Sequence, residues 1–254
     1  LCGTQLANSL GITDNSAESL RRFDDWFFDY YPYLCEEIPF AELSGKRVLE
    51  VGLGYGSVTG RLLAAGADVT ALDIAQGPVG MAAHRAQLLG CGCEAIQASI
   101  LEPPFPDEHF DAVIGIGSYH HTGDTPRALA ETFRMLRPGG TAHIMVYNAY
   151  SYRRWLRECG PTFDYFKADK FGDGEFDSGS QAARAQYDVD SEGQAAPHTD
   201  FFSVGAMRRI CKQWSAVEYR RRNIGAEGLL QRIPRPVALA LFGSVLGLDI
   251  YFRI

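Results

Sequence analysis

A short apolar run, Val48 to Val51, opens directly into Gly52-Leu53-Gly54-Tyr55-Gly56, and the next apolar run, Val69 to Leu72, ends on the carboxylate of Asp73. A strand written as a continuous apolar stretch is one that helices cover on both faces, as happens in a parallel sheet. Glycines without a Cβ let the chain turn sharply and let backbone come close to a ligand, and Ser57 to Gly66 reads as the helix that follows. Asp73 then falls at the carboxyl end of the second strand, where a carboxylate can accept from both hydroxyls of a ribose. Glycine loop and acid together point to a nucleoside cofactor. The plainer reading, a strand-turn-helix without a ligand, leaves the placement of Asp73 unexplained.

The loop must still be sorted between two cofactor classes. A nicotinamide dinucleotide fingerprint is G-x-G-x-x-G, with a helix N-terminus facing the pyrophosphate. Here the spacing is G-x-G-x-G, Ser57 stands where the third glycine of that fingerprint falls, and Glu50 precedes the loop. With these residues the chain resembles the class I methyltransferases that use S-adenosylmethionine, whose first motif is E/D-x-G-x-G-x-G. The likeness continues through Pro104-Phe105-Pro106-Asp107, Phe110-Asp111-Ala112-Val113-Ile114, His120-His121-Thr122 and Leu136-Arg137-Pro138-Gly139-Gly140, and it covers residues 45–148.

What the resemblance implies can be stated residue by residue. Gly52, Gly54 and Gly56 line the cofactor, Glu50 organises the methionine amino group directly or through water, and Asp73 binds the ribose. Ile74 covers one adenine face, and Tyr33, in the segment before the first strand, meets the methionine end. The family commonly carries an acid after the third strand that bonds the adenine amino group; this chain has Ser99 there, so Ser99 or the backbone of Ile100 takes over that contact. Gly117 and Ser118, closing the fourth strand, pass beside the methionine moiety. His120 and His121 sit where that strand opens into a loop, and either a base role or loop-shaping hydrogen bonds suit them. His198, in Pro197-His198-Thr199-Asp200, is a third candidate base, and Tyr147, Asn148 and Tyr150 follow the fifth strand as candidate walls of an acceptor pocket. The six histidines show no ligand spacing beyond the adjacent pair, so no metal site is expected.

The rhythm of the chain suits a Rossmann-like α/β fold, a doubly wound sheet of about seven strands in the order 3-2-1-4-5-7-6 with an N-terminal helical cap. Strands are expected at 46–51, 68–73, 93–98, 110–116 and 141–147, with helices at 57–65, 77–89 and 125–136 and right-handed crossovers between them. Gly139 and Gly140 read as the C-terminal cap of the last of those helices. A helix starting near Asn15 or Ser16 carries an aromatic cluster from Phe23 to Tyr33, most of which serves packing. Residues 160–200 are polar and show no sustained period, as a lid or substrate loop does. A helix at 203–213, a strand near 216–223, a helix at 235–246 and a strand from Asp249 to Ile254 complete the sheet. The expected organisation is therefore a cap over 1–44, a cofactor-binding core over 45–148, a lid or substrate insertion over 149–202 and a completing segment over 203–254.

Composition narrows the setting. A chain of 254 residues with 46% hydrophobic content is near the upper end of what one core supports. Net charge is −7, although residues from Phe201 on hold nine Lys/Arg against three Asp/Glu. Arg208, Arg209, Lys212 and Arg220-Arg221-Arg222 lack the interleaved aromatics of a nucleic-acid surface, and a solvated helix face with alternating strand positions accounts for them. Cysteines 2, 35, 91, 93, 159 and 211 include neither a C-x-x-C pair nor a scaffold spacing, which fits reduced thiols in cytoplasm. The apolar stretch Val237 to Leu248 is too short to cross a bilayer, and no basic region followed by a signal core opens the chain.

The expectation is a cytoplasmic methyltransferase, monomer or homodimer, that uses S-adenosylmethionine on a small-molecule acceptor and leaves S-adenosylhomocysteine. Neither membrane nor nucleic acid is expected as a partner. The alternatives are an NAD(P)-binding oxidoreductase or epimerase, which Ser57 and the downstream motif order disfavour, and a protein that binds S-adenosylmethionine without catalysis.

Overall fold

The computed structural model describes residues 4–171, 177–178, 181–184, 187, 196–225 and 227–254. The chain forms two compact units, Leu1–Ile114 with Arg134–Thr141, and Gly115–Phe133 with Ala142–Ile254.

The first unit opens with α1 (Gln5–Ser9) and α2 (Ala17–Tyr30). Ser16 starts α2 by accepting the Ser19 N–H at 3.3 Å, the usual N-cap contact. Asp14 accepts from the Ser16 N–H and the Ser19 hydroxyl, and these bonds hold its carboxyl at about 2. Phe23, Trp26 and Phe27 form a ring ladder on α2, and Phe28 meets Phe40 edge-on, so the aromatic cluster serves packing as expected. After α3 (Leu34–Glu37) the chain alternates through β1 (Arg47–Val51), α4 (Ser57–Ala64), β2 (Asp68–Asp73), α5 (Gln76–Leu89), β3 (Glu94–Gln97) and β4 (Phe110–Ile116). β1 pairs in parallel with β2 from Arg47↔Asp68 to Val51↔Leu72 and with β4 at Leu49↔Val113, and β2 pairs in parallel with β3. Val48, Leu49, Glu50 and Val51 are all buried, which explains why β1 reads as a run and not as an alternation.

Gly139 and Gly140 do not cap a helix. α6 (Thr125–Met135) stops directly before β5 (Leu136–Asn148), and both glycines lie inside that strand. A Cβ on Gly140 would stand 2.9 Å from the Arg137 carbonyl oxygen and 3.0 Å from that of Asp111, so close backbone approach is what requires glycine there. Arg137 and Asp111 are also joined by an ion pair.

The second unit holds most of α6 and the end of β5, then α7 (Tyr152–Arg157), α8 (Cys159–Phe171), β6 (Asp177–Ser178), α9 (Gln181–Arg184), β7 (Asp200–Phe202), α10 (Val204–Ile210), β8 (Glu218–Arg222), α11 (Arg235–Leu246) and β9 (Asp249–Arg253). β9 runs antiparallel beside β5 from His143↔Arg253 to Tyr147↔Asp249, and β8 runs antiparallel beside β9. Strand order is β3-β2-β1-β4-β5, with β9 and then β8 beyond β5, which is the expected 3-2-1-4-5-7-6. β7 adds in parallel at the carboxyl end of β5, with β6 against it, an extension that the sequence reading lacked.

α8 is a further departure, since its residues were expected to be without regular structure. Its buried residues, Thr162, Tyr165 and Asp169, keep helical spacing, but two of the three are polar. An apolar period therefore never forms. Much of the rest of the expected lid, 172–176 and 188–195 included, lies outside the described residues.

Candidate active site

In the first unit, Asp73 ties the glycine loop to the end of β2. Its Oδ2 accepts the Leu53 N–H at 2.8 Å and its Oδ1 accepts the Ala75 N–H at 2.9 Å. Each oxygen keeps a second lone-pair direction, so the carboxylate can hold the loop and still accept from a ligand. Gly52, Gly54 and Gly56 all take positive φ, at 79°, 52° and 72°, and no atom lies within 4 Å of where a Cβ on Gly54 would be. At Gly54 the loop thus presents bare backbone to open space. Ile74 is 73% exposed beside it, an apolar side chain with no core to serve. Ser99 accepts the Leu101 N–H at 3.1 Å, while Ile100 is buried, so of the two the serine is the better placed to meet a polar ligand edge. Tyr33 is buried and immediately precedes α3.

Glu50 is the electrostatic anomaly of this unit. Only 3% of it is exposed, and its Oε2 finds no hydrogen-bond partner among the described residues. Burial pushes its carboxyl up to about 8, Asp73 adds to the rise, and Thr59 and Arg85 oppose it. A buried carboxyl left in this state is what a functional site produces more readily than a structural core.

In the second unit, Gly117 has φ of 83° and Ser118 leads into the short turn Tyr119–His121. His120 is fully buried, with its ring 4.2 Å from that of His121 and 4.0 Å from that of Tyr147. His121 is half-buried, and its Nδ1 lies 2.8 Å from the His198 carbonyl oxygen. A carbonyl only accepts, so Nδ1 carries the hydrogen and Nε2 carries the lone pair of the neutral ring. Of the three candidate bases, His121 is the one whose Nδ1 faces a backbone carbonyl. His198 contributes its carbonyl to this arrangement, while its own exposed ring rests against Gly123.

The residues after β5 play different parts. Tyr147 joins a ring cluster with Tyr187 at 4.6 Å and Phe201 at 6.0 Å. Asn148 is fully buried, donating to the Gly247 carbonyl at 2.7 Å and accepting the Tyr150 N–H at 3.0 Å, which is a strand-end clamp and not a pocket wall. Tyr150 donates to Asp169 at 2.7 Å, and burial together with that carboxylate raises its phenol well above the usual range.

Sequence reasoning missed two features. Tyr187 and Phe201, with Arg153 over the first ring at 4.5 Å and Arg154 over the second at 4.3 Å, extend the cluster around Tyr147. Arg85 of α5, to which the sequence reading gives no role, is 5% exposed and pairs with Asp24 beneath the glycine loop. A cleft of about 770 Å³ opens nearby between α2, α4 and α5, walled by Phe28, Arg61, Leu88 and Leu89. None of its lining residues belongs to the stretch Gly52–Gly56 or to the carboxyl ends of β1, β2 and β3, so it is separate from the surface that Asp73 and Gly54 frame.

Among known proteins, the family described as a methyltransferase domain matches residues 49–144. Over 100 residues the chain is 41% identical to a phthiotriol/phenolphthiotriol dimycocerosates methyltransferase of Mycobacterium leprae, covering 39% of this chain and 36% of that protein. Over 108 residues it is 32% identical to a demethylmenaquinone methyltransferase of Thermus thermophilus, covering 42% of this chain and 49% of that one. The chain therefore spans less than half the length of these curated relatives. A solved structure of an S-adenosylmethionine dependent methyltransferase from Mesorhizobium loti aligns over 88% of this chain and 95% of that one, with a TM-score of 0.56 and 16% identity, a likeness of fold.

Proposed function

We propose, from the premise that this chain belongs through its core to the class I S-adenosylmethionine-dependent methyltransferases, that it transfers a methyl group to a small-molecule acceptor by in-line displacement. The observation that carries the reading is the convergence of two acids on one bare loop. Asp73 grips Leu53 of that loop at 2.8 Å, and the buried Glu50 stands at its base with an unsatisfied oxygen. These residues fit S-adenosylmethionine: an ammonium suits Glu50, ribose hydroxyls suit Asp73, and a purine face suits the exposed Ile74. When bound, that molecule supplies an electrophilic methyl on a sulfonium.

The protein's share is mainly positioning. We assign donor binding to Tyr33, Glu50, Gly52, Gly54, Gly56, Asp73, Ile74, Ser99, Ile100, Gly117 and Ser118. An acceptor that is an alcohol or phenol must also lose a proton, and we assign that task to His121 through Nε2. His120 supports the ring of His121, and the aromatic surface around Tyr147 and Tyr187 suits an acceptor with an apolar body. The two relatives are named for small-molecule acceptors, phthiotriol/phenolphthiotriol dimycocerosates and demethylmenaquinone. No helix among the described residues is long and apolar enough to cross a membrane. We assign a cytoplasmic setting on the free thiols of cysteines 35, 91, 93, 159 and 211.

Isothermal titration with S-adenosylmethionine and with NAD tests the cofactor, and micromolar binding of the first alone is expected. Binding of NAD alone would overturn the proposal. Incubating metabolite extracts with methyl-labelled cofactor then separates an enzyme, which passes label to an acceptor, from a protein that only binds.

A further inference from the structure

Arg85 occupies the space under the glycine loop that two missing side chains leave. A Cβ on Gly56 would stand 2.8 Å from its Cδ, and one on Gly60 would stand 3.1 Å from its Nη1. From there Nε donates to the Tyr55 carbonyl in the middle of the loop at 2.8 Å. The guanidinium forks onto Asp24 of α2 at 2.7 and 2.8 Å, and Ser57, the first residue of α4, donates to the same carboxylate at 2.6 Å. Phe23, the neighbour of Asp24, sets its ring edge-to-face on Tyr55 with centroids 5.2 Å apart. His84, the neighbour of Arg85, bonds the Asn15 carbonyl at the entrance to α2, 2.8 Å away. Tyr55 and Ser57, on either side of Gly56, are thus held from behind by an N-terminal helix that is itself held by α5.

We infer that Arg85 and Asp24 are positioning residues for the cofactor loop, and that through them the docking of α2 and the binding of S-adenosylmethionine are one coupled equilibrium. The inference rests on the functional reading above. Its physical basis is that a bidentate guanidinium-carboxylate pair fixes direction as well as charge, so the loop is pre-shaped only while α2 is seated. Coupling is reciprocal: whatever loosens α2 weakens the cofactor, and the cofactor must tighten α2 by the same factor.

The test uses the whole chain, S-adenosylhomocysteine as the probe, and the variants Asp24→Asn, Arg85→Lys and their combination, each checked for a cooperative thermal transition. Both single variants should bind the probe about 5- to 20-fold more weakly, within the range of ordinary coupling between sites. The double variant should lose no more than the worse single one, because each change breaks the same link. Hydrogen exchange should show the probe protecting the amides of α2 in the unaltered protein and failing to do so in the variants, an effect that a purely structural ion pair would not give. Unchanged affinity in folded variants, or fully additive losses, overturns the inference while leaving the functional reading intact. Failure of the unaltered protein to bind the probe at all refutes both.

Discussion

Replacing Glu50 by glutamine tests the site without the cofactor. In the folded chain burial pushes this carboxyl from 4.5 to about 8, so the native state holds a proton that the unfolded chain releases near pH 4.5. The sign follows from linkage: the contribution of Glu50 to stability is fully present below pH 4.5, declines as pH rises, and is gone above about 8. At about 1.36 kcal/mol per pKa step, the loss between those limits is about 5 kcal/mol at most. Glutamine has the same shape and cannot ionise, so urea unfolding of Glu50→Gln at pH 5, 6.5 and 8 should show a much flatter dependence on pH. The variant should also gain stability on the unaltered protein by a few kcal/mol at pH 8. The same variant should bind S-adenosylhomocysteine more weakly, because the ligand's ammonium group favours the ionised form of Glu50 and an amide has none. Parallel pH profiles for the two proteins would refute the argument, since they would mean that Glu50 is already ionised and paired in the fold.

Asp73→Ala removes two bonds to backbone as well as the ribose contact, and should weaken S-adenosylmethionine by about 1.5–3 kcal/mol, the range for hydrogen bonds to a charged group. Titration calorimetry decides it, and an unchanged affinity removes Asp73 from the site. His121→Gln should lower kcat by at least about 100-fold for an alcohol or phenol acceptor identified by label transfer, with cofactor affinity unaltered; a change within twofold would eliminate the base role. Asn148→Ala strands a carbonyl at Gly247 and an N–H at Tyr150, each costing about 1–3 kcal/mol when buried. Urea denaturation showing less than about 1 kcal/mol in total would mean that the clamp is dispensable.

The parallel half of the fold was legible because burial on both faces writes itself into composition: Val48 to Val51 and Val69 to Leu72 have no other use for so many apolar residues. The glycines and Asp73 were legible because their conformations and contacts are local, within one strand-turn-helix. What sequence could not display were partnerships across long separations. Arg85 meets Asp24 from 61 residues away, and in one dimension it is simply a charge on a helix. α8 stayed hidden because its inward face carries Thr162, which donates to the Arg154 carbonyl, and Asp169, which accepts from Tyr150 and Arg209. Asn148 looked like a ligand for a substrate because it follows a strand, yet its amide is consumed by Gly247, 99 residues on. His121 was found by motif, but its tautomer is set by a carbonyl that belongs to another loop.

Ser57 is the letter that separates this loop from a dinucleotide fingerprint, and its hydroxyl is turned inward to Asp24. Exchanging it for glycine would complete G-x-G-x-x-G on paper while unfastening α4 from the helix beneath it. On the proposed function, a specificity switch attempted by editing the consensus would therefore weaken S-adenosylmethionine binding without creating a nicotinamide site. The spelling of the loop records how the interior is bolted together as much as which cofactor would suit it.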